Sequence, residues 1–316
     1  MTTTGDDFLD RANTRTPSRF RDRLRHGPPL LLDGATGTEL TRRGIDTGLP
    51  MWSAKALISA PDTLVAIHRD YVEAGADIVT ANTFRTHRRS LAAAGLGGEA
   101  ATLTTRAVQL AREATTMTPA GSGRSVYVAG SIAPLEDCYS PDLVPDSEAL
   151  ATEHGEMATA LAAAGADLLL VETMNTIREA AAAAQAAVAT GLPVLVGFVC
   201  GRDGKLLSGE SVEAAAGVLG SAGVDGLLIN CSPMPGLAAV LAELAGATDL
   251  PIGAYGNVGY ADDVAGWVNT DSVDPAAYAR HAVDWLNLGA RIIGSCCGTG
   301  PAHTAALQAS ITAWCA

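Results

Sequence analysis

Three cysteines arrive in two places along this chain: Cys231 in LLINCS and the adjacent pair Cys296–Cys297 in IIGSCCG. Each motif follows a short apolar run that reads as a β-strand. Thiolates are soft donors that suit zinc. Three protein ligands leave a fourth position open, as catalytic zinc sites do. In an extended strand Cys296 and Cys297 would point to opposite faces. Binding one metal therefore requires the backbone to leave strand geometry there, and the flanking Gly294 and Gly298 permit it. The competing readings are buried cysteines beside a chance doublet, or a vicinal disulfide. Cys200 ends another apolar run, Cys138 sits in a long loop and Cys315 lies at the tail. These three read as packing or bystander thiols rather than ligands.

Two acids stand where acids are costly. Glu172 in LLLVETM follows four apolar residues, and Asp33 in LLLDGATG has the same placement. A carboxylate at the end of a buried strand must be paired or hydrogen-bonded. A structural ion pair would satisfy Glu172, and so would a cationic group on a substrate. Asp33 reads either as a loop brace or N-cap, or as a site acid, with Gly34 and Gly37 letting backbone N–H groups approach an anion. Of the six histidines, His26, His68, His87, His154, His281 and His303, only His87 falls just beyond a strand end, and it reads as a surface loop residue. The two lysines, Lys55 and Lys205, lie off the strands, which argues against a Schiff-base aldolase. No Walker loop and no dinucleotide-binding glycine fingerprint is present.

The elements that must position these residues repeat. EAGADIVTANTF, AAGADLLLVETM, SAGVDGLLINCS and NLGARIIGSCCG share one plan: a helix ends at Gly, a small turn follows, then an apolar run, then polar or reactive residues. Gly there suits a left-handed helix cap. The nearly continuous apolar runs suit a parallel sheet buried on both faces. The pattern predicts strands near 30–34, 78–82, 126–131, 168–172, 194–199, 226–230, 252–256 and 292–295. It predicts helices near 61–74, 100–115, 147–164, 176–190, 211–222, 236–245, 275–288 and 301–313. Eight strand–helix units indicate a single α/β (βα)8 TIM barrel over residues 28–316, preceded by a lead-in over 1–27; a doubly wound open sheet is the competitor. Helix-to-strand turns are terse and strand-to-helix loops long, which puts chemistry on the carboxyl-end face. Asp33, Asn82, Thr83, Glu172, Asn257 and the three focal cysteines all fall there.

Composition narrows the function class. The chain has 316 residues, 48% of them hydrophobic, with a net charge of −13 and a pI near 4.8. That balance is opposite to a nucleic-acid binder. No apolar run approaches the ~20 residues that span a bilayer. Six cysteines in so long a chain do not make a disulfide scaffold and suit a cytoplasmic protein with reduced thiols. Six arginines between Arg11 and Arg25 read as a frayed, solvated lead-in helix. The start lacks the apolar core of a secretory signal, and Asp6, Asp7, Asp10 and Asp22 are unlike a transit peptide.

Taken in order, LLLDGATGTEL, GADIVTANTF, GSIAP, GADLLLVET, INCSP and GSCCGT resemble the homocysteine S-methyltransferase family over about residues 28 to 312. The resemblance implies a (βα)8 barrel with zinc held by Cys231, Cys296 and Cys297. It implies homocysteine with its ammonium near Asp33 and Glu172, and further contacts near Gly34 and Thr83. MWSAKAL is most similar to the S-methylmethionine branch, which implies Trp52 over the mouth, facing a sulfonium through a cation–π contact. The expected reaction moves a methyl group from a sulfonium donor, S-methylmethionine or S-adenosylmethionine, to the thiol of homocysteine, giving methionine. Betaine, a methylfolate or selenocysteine as donor or acceptor is the variant reading within the family. Outside it stand a phosphate-binding barrel lyase or isomerase, suggested by the Gly-rich loops after the last two strands, and a non-catalytic metal or thiol sensor. The expected partners are small molecules, with no nucleic acid and no membrane.

Overall fold

The structure is a computed structural model that describes residues 17–116, 124–262 and 266–316. Eight parallel strands run β1 (Leu30–Leu31), β2 (Ile78–Ala81), β3 (Tyr127–Ile132), β4 (Leu168–Met174), β5 (Val194–Phe198), β6 (Gly226–Pro233), β7 (Ile252–Asn257) and, last in the chain, β10 (Ile292–Ser295). Their spatial order is β1-β10-β7-β6-β5-β4-β3-β2. A parallel bridge between Leu32 and Ile78 joins the two ends and closes the barrel. The expected (βα)8 architecture is therefore present, and each expected strand and helix has its counterpart. One addition was not legible: the loop after β7 folds back as an antiparallel hairpin, β8 (Gly259–Asp262) with β9 (Gly266–Asn269).

Strand parity explains the unbroken apolar runs. Leu30, Ile78, Ala129, Leu168, Leu170, Leu195, Leu228 and Ile292 form one cluster inside the barrel. Their neighbours Leu31, Val79, Val128, Leu169, Val196, Leu227 and Ile293 join a second cluster with the surrounding helices. Both faces are thus buried, as an all-parallel sheet requires. The helices begin on side-chain caps: Asp146, Thr176, Ser211 and Asp274 each accept a backbone N–H of the first turn.

The amino-terminal end of the barrel is repetitive. Gly75, Gly165, Gly191, Gly223 and Gly289 end their helices at φ between +80° and +116°, the left-handed cap the echo predicts. In three of these turns an aspartate follows. Asp77 accepts the N–H of Leu31 at 3.0 Å, Asp167 that of Val128 at 2.7 Å, and Asp225 that of Val194 at 3.0 Å. Arginines face them: Arg112 lies 2.8 Å from Asp167, Arg21 lies 2.8 Å from Asp225, and Arg23 and Arg124 approach Asp77. In the fourth repeat Arg291 takes the place of the acid and donates to the carbonyls of Leu24 and Gly27.

The lead-in differs from its expectation in one respect. Residues 17–26 form a helix, but it is not solvated on all sides. Phe20 and Leu24 are fully buried in the inner cluster, and the Phe20 ring meets Tyr127 edge-on at 5.1 Å. An arginine run carries no periodicity strong enough to reveal the two apolar residues that plug the barrel floor. Residues 1–16, including Arg11 and Arg15, lie outside the described residues. Among the described residues no helix is long and apolar enough to cross a membrane.

Candidate active site

At the carboxyl-terminal end the inward ladder changes character. Two residues beyond Ile78, Ala129, Leu170 and Leu228, the same strands present Thr80, Ser131, Glu172 and Asn230. A cavity of about 340 Å³ opens over the first three. Asp33, Gly34, Trp52, Glu172, Cys231, Cys296 and Cys297 all line it, so the structure brings these sequence-singled residues together. Thr83 is the exception. It is buried between β2 and β3, where its hydroxyl donates to the Ser131 carbonyl at 2.8 Å and accepts the Ser131 N–H at 3.0 Å. Asn82 lines the cavity beside it.

The thiol wall comes from β6 and the turn after β10. The ligand atoms of Cys231, Cys296 and Cys297 lie within 4.8 Å of one another, the one such cluster among the described residues. Backbone distortion puts them there. Cys231 has φ +48°, where β6 slips register against β7 between Asn230 and Pro233. Such a conformation in a non-glycine residue stores strain of order 1–3 kcal/mol. Past Ser295 the chain leaves strand geometry, and Gly298 has φ +84° with Val258 so close that a Cβ would lie 2.2 Å from its Cγ2. Asn257 ties the two segments together: its Nδ2 donates to the Cys231 carbonyl at 2.7 Å, and its Oδ1 accepts the Cys297 N–H at 3.0 Å. Hydrogen bonds from Cys231 and Cys296 hold the Cys297 thiol well below its usual range. The same contacts with Cys231 and Cys297 push Cys296 well up.

Zinc–thiolate bonds of about 2.3 Å place the sulfurs of a tetrahedral site roughly 3.8 Å apart. The three sulfurs gathered within 4.8 Å supply that donor set, and the Cys231 and Cys296 sulfurs, 2.6 Å apart here, would part by about 1 Å to bind one ion together. The electrostatics agree, because three thiols crowded in a buried pocket cannot all ionise without a cation among them. Cys138 lines the cavity but stands outside the cluster, Cys200 is buried elsewhere and Cys315 is exposed. His87 is buried, not a surface residue. Its Nδ1 accepts the Ser90 N–H at the start of helix Arg88–Ala92, and it has no part in the thiol cluster.

The acid wall comes from β1 to β4. Asp33 is 2% exposed and accepts both the backbone N–H and the hydroxyl of Thr80, at 2.8 and 2.9 Å. Glu172 is 8% exposed; the Ser131 hydroxyl donates to Oε1 and the Tyr255 hydroxyl to Oε2 at 3.0 Å. Burial pushes Asp33 up to about 8 and Glu172 up to about 7, against these hydrogen bonds. Among the described residues neither acid has a basic side chain as partner. Two buried carboxyls without a cation form a receptor for one.

Trp52 stands at the rim with φ +47° and meets Phe84 edge-on at 5.6 Å. Trp52, Thr173 (φ +61°) and Cys231 are the positive-φ non-glycine residues of the described chain, and all three line this cavity. Asn230 accepts the Thr173 N–H at 2.9 Å and donates to its hydroxyl at 2.8 Å, linking two of the strained positions. The sequence reading missed Thr80, Ser131, Asn230 and Tyr255. For the first three the signal was parity: each is the first polar residue at an inward position.

The homocysteine S-methyltransferase family model matches residues 30–311. The homocysteine S-methyltransferase of Escherichia coli is 34% identical over 89% of this chain and 94% of its own length. Homocysteine S-methyltransferase 3 of Zea mays is 30% identical over 92% of each chain. The crystal structure of the metallated form of the Escherichia coli homocysteine methyltransferase MmuM superposes with a TM-score of 0.80, at 32% identity, covering 92% of this chain and 99% of that one. On this evidence the chain belongs to the homocysteine S-methyltransferase family, and is an enzyme of thiol methylation.

Proposed function

We propose that the protein transfers a methyl group from a sulfonium donor, S-methylmethionine or S-adenosylmethionine, to the thiol of homocysteine, giving methionine. The observation that carries this reading is the meeting of three sulfurs and two unpaired buried carboxyls in one cavity. Cys231, Cys296 and Cys297 would hold zinc, which when bound keeps an acceptor sulfur as an electron-rich thiolate at neutral pH. Asp33 and Glu172 take the ammonium of homocysteine, so that its sulfur reaches the thiol wall. Thr80, Ser131 and Tyr255 hold the two acids in place. Trp52 faces the sulfonium with its ring. The homocysteine sulfur supplies the electron pair of the new S–C bond. The donor's S–CH₃ bond breaks with its pair staying on sulfur, which leaves as a neutral thioether, and the thiol proton goes to solvent. Orientation in the pocket supplies effective concentration.

A neutral thioether leaves without further activation, which favours a sulfonium over a methylfolate. The test is turnover by zinc-loaded protein of homocysteine with each donor in turn. Turnover with S-methylmethionine supports the reading. Turnover with methylfolate or betaine and with neither sulfonium contradicts it.

A further inference from the structure

We propose that Arg85 receives the carboxylate of the methyl donor, and so selects sulfoniums that carry an amino-acid end. This inference rests on the sulfonium reading above. Among the described residues that line the cavity, Asp33, Asp137 and Glu172 are acids and Arg85 is the one cation. It lies in the run FRTHRR, whose arginines have different fates. Arg88 pairs with Glu156 at 2.7 Å, and Arg89 pairs with Glu136 at 2.9 Å and with Glu153. Arg85 makes no ion pair among the described residues. Its Nη1 donates once, to the Glu136 carbonyl at 3.2 Å, and its guanidinium stands over the Phe84 ring, 5.4 Å from the centroid. Asp137, next along the chain from Glu136, spends its carboxylate on its own turn, accepting the Tyr139 N–H at 3.2 Å and the Ser140 hydroxyl at 2.9 Å.

A guanidinium has five donors in a planar fork that matches a carboxylate. Stacked on Phe84, with one donor anchored, Arg85 is oriented but not neutralised. Its place decides which carboxylate it takes. The ammonium of homocysteine belongs to the floor, with Asp33 and Glu172, and its carboxylate is one carbon away. Arg85 stands at the rim, on the face of Phe84, whose edge-on partner is Trp52. A donor with its sulfonium against Trp52 and its carboxylate on Arg85 would span this aromatic pair, with its methyl toward the thiol wall. The donor's sulfonium then finds a π face and its carboxylate an opposite charge, and neither competes with the acceptor's contacts.

The test is steady-state kinetics of the zinc-loaded enzyme and its Arg85→Met and Arg85→Lys variants. S-methylmethionine is compared with its carboxylate-free analogue, (3-aminopropyl)dimethylsulfonium. Loss of a charge-assisted hydrogen bond typically corresponds to about 10- to 100-fold in binding. The donor KM of Arg85→Met is expected to rise by that factor, with homocysteine KM and zinc content unchanged. Arg85→Lys should recover part of the loss. The carboxylate-free sulfonium should be a poor donor for the wild type and no poorer for Arg85→Met. A rise in homocysteine KM in place of donor KM overturns the assignment, as does an equal loss with both sulfoniums. Absence of turnover of both S-methylmethionine and S-adenosylmethionine by the wild type overturns the sulfonium reading itself, and the inference with it.

Discussion

The two ends of this barrel solve different problems. At the amino-terminal end three aspartates, Asp77, Asp167 and Asp225, occupy the same turn, accept a backbone N–H from a neighbouring strand and face arginines. At the carboxyl-terminal end the buried acids Asp33 and Glu172 face hydroxyls instead, and burial pushes them up to about 8 and about 7; burial also raises Asp77, but there Arg23 and Arg124 oppose it. The strained backbone also lies at that end, at Trp52, Thr173 and Cys231. One end uses a repeated acid to close the fold. The other leaves acids without a cationic partner among the described residues, and thiols crowded together, in a form that ligands would complete. Substitutions at the two ends should therefore separate stability from chemistry.

The sharpest separation is expected at Cys231. Cys231→Ser should lose methyl transfer and hold far less than one zinc per chain, with little change in Tm. Metal analysis beside an activity assay checks it, and full zinc with full activity would remove Cys231 from the site. Next comes Asn257→Ala, which frees the Cys231 carbonyl and the Cys297 N–H. Zinc affinity should fall by about 10- to 100-fold, as for other partners that orient metal ligands. Competition with a chelator measures it.

The acid wall should respond through homocysteine alone. Glu172→Gln and Asp33→Asn should each raise homocysteine KM by about 10- to 100-fold at constant zinc content. An unaltered KM in both would take these residues out of the ammonium role. The pH dependence has a defined sign. Both acids are neutral at low pH and ionise as pH rises through about 7 for Glu172 and about 8 for Asp33. Affinity for an ammonium should thus strengthen from pH 6 to 8, and fall away below. An alkyl thiol without an ammonium should lack that part of the slope. If both thiols show the same profile, the acids are not its source.

The smallest functional effect is expected at the opposite end. Asp167→Ala leaves the buried Val128 N–H without its acceptor and removes the Arg112 pair. A loss of about 1–3 kcal/mol follows, a fall in Tm of a few degrees, with kcat/KM unchanged. A change in kinetics without a change in Tm would erase the distinction between the two ends.

The legible and illegible parts divide along the same line. The repeated Gly-Ala-Asp and Gly-Val-Asp turns announced the strand starts because a left-handed cap and a continuous apolar run are local signals. Cys231, Cys296 and Cys297 were legible by type and by position after strands. Thr80, Ser131 and Tyr255 were not singled out, because hydroxyl residues near strand ends are common and only the closed barrel shows which acid each one meets. Thr83 looked like a site residue from its place after β2, yet its hydroxyl is used up between β2 and β3. The helix over residues 17–26 was expected, but its buried face was hidden among arginines, since burial of Phe20 and Leu24 depends on the barrel floor they plug. The hairpin of β8 and β9 announced itself by no turn signal of the usual two-residue kind.

The central claim is that the three thiols leave one metal position for the acceptor's sulfur. X-ray absorption of the zinc-loaded protein, recorded before and after homocysteine, tests it most directly. The account predicts three sulfur neighbours at about 2.3 Å and one lighter atom in the free protein, and four sulfur neighbours once homocysteine is bound. A count that stays at three sulfurs with homocysteine bound would contradict it.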